Sequence, residues 1–215
     1  MMRRRTATPC NNLLLSRVPV LVLYIEMFSV SPPTITNAST TISEIFSNDH
    51  SSFSVHEIGM GLGSFYNYIK YHHKDKIINY SGSDIVPEFV SHCKKNIAGS
   101  NFYLRDLSEV IVNEKYDYVI FSGVFHQIRN ISRSDWEDFA YNILLNAFRL
   151  CSHVIAFNFV TPFVDYYQEN IYYCDLMKLL HFINKRMSRF FVIKHDYALY
   201  ELTIFVYPSE IVKDK

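Results

Sequence analysis

The sequence predicts an α/β protein built on a doubly wound, mostly parallel seven-stranded sheet that ends in an antiparallel β-hairpin. Three observations predict it. From Phe53 onward, apolar segments of strand length alternate with segments whose apolar residues recur at helical spacing. A glycine-rich turn follows the first of those strands. The last two apolar segments are joined by a link too short for a helical crossover, and neighbouring strands so joined run antiparallel. Repeated strand–helix units imply a parallel sheet covered on both faces.

Each element has a local reason. Phe53 to Ile58 is short, alternating and followed at once by glycines, so it reads as a strand. Phe65, Tyr68 and Ile69 fall at helical spacing, predicting a helix over Phe65 to Tyr71. Ile77 to Ser83 is a second strand. Pro87 sits where a first-turn proline is tolerated, and Phe89, Val90 and Cys93 continue that helix. Asn101 to Leu104 is a short third strand, and Tyr116 to Phe121 a fourth, its near-continuous apolar run suiting a buried parallel position. Ser134 with Glu137 three residues on predicts a capping box, and Phe139, Ile143, Leu144, Ala147 and Leu150 share one face of the helix it would start. His153 to Phe159 is the fifth strand and Asp175 to Met187 a further helix. Phe190 to His195 and Leu202 to Tyr207 form the terminal hairpin.

Composition narrows the classes of function. A chain of 215 residues, 49% hydrophobic and 20% charged, has the make-up of one globular domain. Its 21 Lys and Arg balance 21 Asp and Glu, which argues against a nucleic-acid partner, since gripping phosphates needs a basic footprint. Four scattered Cys exclude a disulfide scaffold, and no CxxC pair suggests a metal knuckle. Residues 1–50 differ from the rest: Arg3, Arg4 and Arg5 open the chain and no acid precedes Glu26. The apolar stretch Leu13 to Val30 is broken by Arg17, Pro19 and Glu26, so no membrane span is expected. A signal or transit peptide is an alternative there; an extension, linker or lid is preferred, with the domain proper at 51–215.

Chemistry is signalled first at the glycine turn, Glu57-Ile-Gly59-Met-Gly61-Leu-Gly63-Ser. Glycines allow a sharp strand-to-helix turn and let a ligand approach the backbone. Asp84 closes the second strand about 20 residues further on, the spacing at which a carboxylate meets ribose hydroxyls. The dinucleotide fingerprint G-x-G-x-x-G wants glycine at position 64, where this chain has Ser64, so the spacing is G-x-G-x-G with an acid two residues ahead.

With these residues the chain resembles the class I S-adenosylmethionine-dependent methyltransferases, which have a Rossmann-like fold. Their first motif, acidic-x-Gly-x-Gly-x-Gly, is matched by Glu57, Gly59, Gly61 and Gly63. The acid closing strand two is Asp84, followed by Ile85. The acid after strand three is Asp106, followed by Leu107. The fourth motif is matched by Tyr116 to Gly123, including Ser122. The terminal hairpin is the family's topological mark, and the resemblance spans Phe53 to about Tyr207. The motif departs in having Glu57 for the commoner Asp and Met60 for the commoner Cys or Ala. The resemblance implies S-adenosylmethionine as cofactor, Asp84 on its ribose, Asp106 beside its adenine, and a cytoplasmic location.

Methyl transfer from a sulfonium asks the protein mainly to position and desolvate. A base is needed only where the acceptor must lose a proton. Ligands bind beyond the carboxyl ends of the strands. There His126 is the candidate base or substrate contact, with capping of the next segment as the structural alternative. Asn158 and Asp165 follow strand five and either bond substrate or cap the chain. Phe163, Tyr166, Tyr167, Tyr172 and Tyr173 would wall an acceptor pocket or pack as a lid. The expected function is methyl transfer to a small-molecule acceptor, on a hydroxyl oxygen, without metal, nucleic acid or membrane. A non-catalytic methyltransferase-like binding module and a nicotinamide-dependent oxidoreductase are the alternatives, and the sequence leaves oligomeric state open.

Overall fold

The computed structural model describes residues 39–46, 52–128 and 130–212. Residues 1–38 and 47–51, most of the expected extension, lie outside the described residues. The described chain runs β1 (Ser52–Ile58), α1 (Ser64–His72), β2 (Ile77–Asp84), α2 (Pro87–Asn96), β3 (Asn101–Leu104) and β4 (Tyr116–Phe121). It continues through α3 (Arg133–Leu150), β5 (Cys151–Val160), α4 (Leu176–Phe182), β6 (Phe191–Lys194), β7 (Glu201–Val206) and α5 (Ser209–Val212). The seven strands form one sheet in the order β3-β2-β1-β4-β5-β7-β6. Strands β1 to β5 are parallel, and β7 pairs antiparallel with both β5 and β6. The expected sheet and terminal hairpin are therefore present. β1 lies between β2 and β4, so the strand order reverses there, and the carboxyl ends of β1 and β4 mark the switch-point crevice where open α/β sheets bind ligands.

Alternation along the strands sorts the core into two layers. Phe53 and Val55 of β1, Tyr80 of β2 and Tyr118 and Ile120 of β4 pack with Phe65 and Ile69 of α1 and Val90 and Cys93 of α2. Ile42 and Phe46 are fully buried in the same layer. They belong to residues 39–43, which are helical, and to the 3-10 turn Glu44–Phe46 that follows. Phe46 stacks on Phe53 at 4.9 Å and meets Tyr118 edge-on at 5.0 Å. The packed core thus begins ahead of residue 51. On the other face, Ile58, Val119, Phe121, Ile155 and Phe157 pack with Ala140, Ile143, Leu144, Ala147 and Leu150 of α3.

One local expectation is corrected. α3 is capped by Ser132 rather than Ser134: the Ser132 hydroxyl accepts from Asp135 N at 3.1 Å and donates to the Asp135 carboxylate at 2.7 Å. Glu137 instead turns inward. It accepts from the Arg133 guanidinium at 3.0 Å, from the Tyr172 hydroxyl at 3.0 Å and from Lys178, and these donors hold its carboxyl below the usual range against the burial that would raise it. Helices cover both faces of the sheet. The link between β3 and β4 forms no helix, and polar side chains fill the part of the α3 face beside it. His56 bonds Ser81 Oγ at 2.8 Å and Ser83 Oγ at 3.1 Å, and its ring stacks on Tyr116 at 4.5 Å. Arg105, paired with Glu114 at 2.8 Å, reaches the same ring. Burial, with the nearby Arg105 charge, pushes His56 down to about 3.

Candidate cofactor and acceptor site

The glycine turn lies at the crevice between β1 and β4. Gly59, Gly61 and Gly63 all have positive φ, at 71°, 53° and 79°. At Gly59 the need for glycine is twofold, because a Cβ would also sit 2.5 Å from Val124 Cγ2. Gly61 N donates to one Asp84 carboxyl oxygen at 3.0 Å, and Val86 N donates to the other at 2.9 Å. Asp84 thereby locks the turn after β1 to the end of β2. Its carboxyl is buried and titrates above the usual range, desolvation outweighing those backbone bonds. Each oxygen retains a further lone pair that a vicinal diol can use. These features fit a nucleoside-bearing cofactor. Ile85 is exposed beside Asp84. Asp106 shapes the turn after β3 by accepting from Ser108 N at 2.8 Å. Leu107 is buried, and its carbonyl accepts from Asn146 at 2.7 Å.

Glu57 departs from the expectation of direct cofactor contact. Its side chain falls on the α1/α2 face of β1, is fully buried and accepts from the Tyr80 hydroxyl. Burial pushes its carboxyl up to about 8, with Asp84 adding to the rise and the Tyr80 bond opposing it. Alternation places an acid at this strand position among core residues, whatever the motif implies.

The other face of the crevice is built after β4. Ser122 and Gly123 leave the strand, and Gly123 N donates to Asn158 Oδ1 at 2.9 Å. Asn158 Nδ2 donates to Glu201 Oε2 at 2.6 Å. His126 is buried, with Nδ1 3.6 Å from Glu201 Oε1. Sequence reasoning assigned no task to Glu201. It opens β7 opposite Val160 of β5, and that pairing is a long-range register no local pattern encodes.

Beyond β5 a solvent-open cleft of about 160 Å³ is lined by Tyr166, Tyr173 and Tyr200 among Val160, Val164 and Ile171, with Gln168 as its amide. No lining side chain is charged. Tyr173 accepts from Gln168 N at 2.8 Å, and Asp165 accepts from the Tyr200 hydroxyl. Gln127 bridges to Ile171, so the segment carrying His126 borders the cleft. Tyr172, expected in this pocket, is instead buried against Phe159 and Trp136 with its hydroxyl committed to Glu137. Neighbouring residues of an extended segment point to opposite sides, so Tyr173 and Tyr172 divide between cleft and core. Among the described residues no cluster of His, Cys, Asp and Glu is placed to hold a metal ion, and no helix is long and apolar enough to cross a membrane.

The sheet order and the glycine turn after β1 give the chain the fold of the class I S-adenosylmethionine-dependent methyltransferases. A candidate methyltransferase of Mycobacterium tuberculosis, Rv1506c, is 28% identical over 162 residues, covering 72% of this chain and 92% of that one. Magnesium protoporphyrin IX methyltransferase from Synechocystis, solved with S-adenosylhomocysteine bound, superposes with a TM-score of 0.60 at 14% identity over 82% of each chain. The sugar N-methyltransferase KedS8 of Streptoalloteichus superposes with a TM-score of 0.52 at 11% identity, over 78% of this chain and 64% of that one. No family model matches the chain.

Proposed function

We propose that the chain transfers the methyl group of S-adenosylmethionine to a hydroxyl oxygen of a small, uncharged acceptor. The observation that carries this reading is the junction of two surfaces. An Asp84-locked glycine turn lies on one side of the β1–β4 crevice, and an uncharged tyrosine-lined cleft borders the other. Asp84 takes the ribose hydroxyls, Ile85 flanks the adenine with Asp106 and the Leu107 backbone N–H at its edge, and the backbone from Gly59 to Gly63 and at Ser122 meets the rest of the cofactor. Glu57 supports the turn from behind. Bound, the cofactor supplies a methyl group already activated by its sulfonium. The chain's own task is to orient the acceptor, exclude water and remove a proton.

His126 is the proton acceptor, Asn158 holds the post-β4 loop that carries it, and Tyr173 with the Asp165–Tyr200 pair shapes the cleft. An uncharged lining favours a neutral acceptor over an anionic one, because an unpaired charge is costly to desolvate. The balanced overall charge argues in the same direction against nucleic acid. The cofactor is made and used inside cells, which suggests the cytoplasm as the compartment.

Calorimetry on the full chain tests the cofactor half of the reading. S-adenosylmethionine should bind, and Asp84→Asn should weaken it about 10–100-fold through loss of charged hydrogen bonds. Unchanged affinity would remove Asp84 from the ribose. A panel of phenols and alcohols with mass-spectrometric detection of methyl ethers tests the acceptor half; methylation only at nitrogen or carbon would overturn it.

A further inference from the structure

At the end of β4 the buried Nε2 of His126 has no hydrogen-bond partner within the chain. An unpaired buried polar atom costs about 1–3 kcal/mol, and such atoms are retained where a ligand or a reaction completes them. The other ring nitrogen, Nδ1, faces a chain of polar groups that ends at Glu201. Gly123 N–H donates to Asn158 Oδ1 at 2.9 Å, and Asn158 Nδ2 donates to Glu201 Oε2 at 2.6 Å. Glu201 Oε1 lies 3.6 Å from His126 Nδ1, an ion-pair distance just beyond a hydrogen bond. Contacts of this kind commonly tighten when substrate binds.

Two hydrogen bonds fix the orientation of Asn158. An amide N–H only donates, so Asn158 must present its oxygen to Gly123. A carboxylate only accepts, so Asn158 presents its NH₂ to Glu201, and a proton on His126 Nδ1 would face Glu201 Oε1, where a lone pair would be opposed by it. The neutral ring then bears its lone pair on Nε2.

We propose that Glu201 is a positioning residue for methyl transfer, fixing His126 in the Nδ1–H tautomer so that Nε2 takes the acceptor's hydroxyl proton. This rests on the methyl-transfer reading above. As the hydroxyl oxygen bonds the methyl carbon, the carbon–sulfur bond breaks with its electron pair going to sulfur. The hydroxyl proton passes to Nε2. The products are a methyl ether, the cofactor's neutral thioether and a His126 imidazolium that Glu201 stabilises. The position of Glu201 suits the task. The preceding residue, Tyr200, and its strand partner, Val160, both line the cleft, so the pair stands where the acceptor would be held.

The test is a nitrogen–proton long-range NMR spectrum of the full chain with ¹⁵N-labelled histidine, taken where the ring is neutral. His126 is assigned by the signal that His126→Asn removes. The expected wild-type state is Nδ1–H. In Glu201→Gln the new amide can donate to Nδ1, and more than half of the signal should move to Nε2–H. Calorimetric affinity for S-adenosylmethionine should stay within about threefold, while turnover of a hydroxyl acceptor falls about 100-fold, as a lost general base would cause. A wild-type chain that binds the cofactor but shows Nε2–H, or a Glu201→Gln chain that keeps Nδ1–H, would overturn the role of Glu201 alone. A wild-type chain that fails to bind the cofactor would overturn the methyl-transfer reading itself.

Discussion

Replacing Glu57 by Gln should stabilise the protein, and only above weakly acidic pH. Glu57 is an acid on a central strand, wholly buried, with the Tyr80 hydroxyl as its hydrogen-bond donor. Its carboxyl titrates near 4.5 in the unfolded chain and is pushed up to about 8 by burial in the folded one. A folded pKa above the unfolded value means that the folded state holds the proton more tightly. The associated stability is complete below pH 4.5 and is lost as pH rises through about 8. At about 1.4 kcal/mol for each tenfold difference in proton affinity, the full loss is roughly 4–5 kcal/mol. Gln keeps the shape, can accept from Tyr80 and does not titrate. The two proteins should therefore match near pH 5, with Glu57→Gln gaining several kcal/mol by about pH 9. His56 works in the opposite sense. Its folded value near 3 lies below the ordinary 6.5, so stability is lost as pH falls from 6.5 through 3. Both proteins carry it, so it cancels in their difference. Urea unfolding across this pH range, with equal slopes in both proteins, reads the difference directly. A gap that stays constant with pH would show that Glu57 is not a buried acid held neutral by its surroundings.

Three further outcomes probe the fold and turn. Phe46→Ala should cost roughly 3–5 kcal/mol, because it empties a fully buried site between Phe53 and Tyr118; a neutral result in chemical denaturation would detach residues 39–46 from the core. Gly59→Ala should cost roughly 2–4 kcal/mol, combining a left-handed φ of 71° with the 2.5 Å approach to Val124. Adding Val124→Ala should recover the steric share and leave the φ share; full recovery in the unfolding midpoint would refute the backbone argument.

The α/β order was legible in local pattern because each strand and helix advertises itself by its own periodicity. The glycine turn and Asp84 were legible for the same reason. They lie in one strand–turn–helix–strand unit, and their spacing is set by the lengths of those elements. Glu57 was misjudged because a motif position says which residue is present, whereas the alternation of β1 decides which face it takes. The capping serine was misplaced by two residues because Ser132 and Ser134 each have an acid three positions on, and only the helix start distinguishes them. Tyr172 and Tyr173 were indistinguishable in sequence and were separated by the buried Glu137, which claims one hydroxyl and leaves the other at the cleft.

By itself, then, the sequence determined the elements, their order, the antiparallel end and the acid-and-glycine turn, all consequences of interactions within about 30 residues. Tertiary structure decided what depends on contacts between distant segments. It placed Phe46 on the sheet, closed the part of the α3 face beside the β3–β4 link with His56, Arg105 and Glu114, and brought Glu201 through the β5–β7 register to His126 and Asn158. Burial and register are properties of the assembled sheet, and a side chain's charge state and partner follow from them.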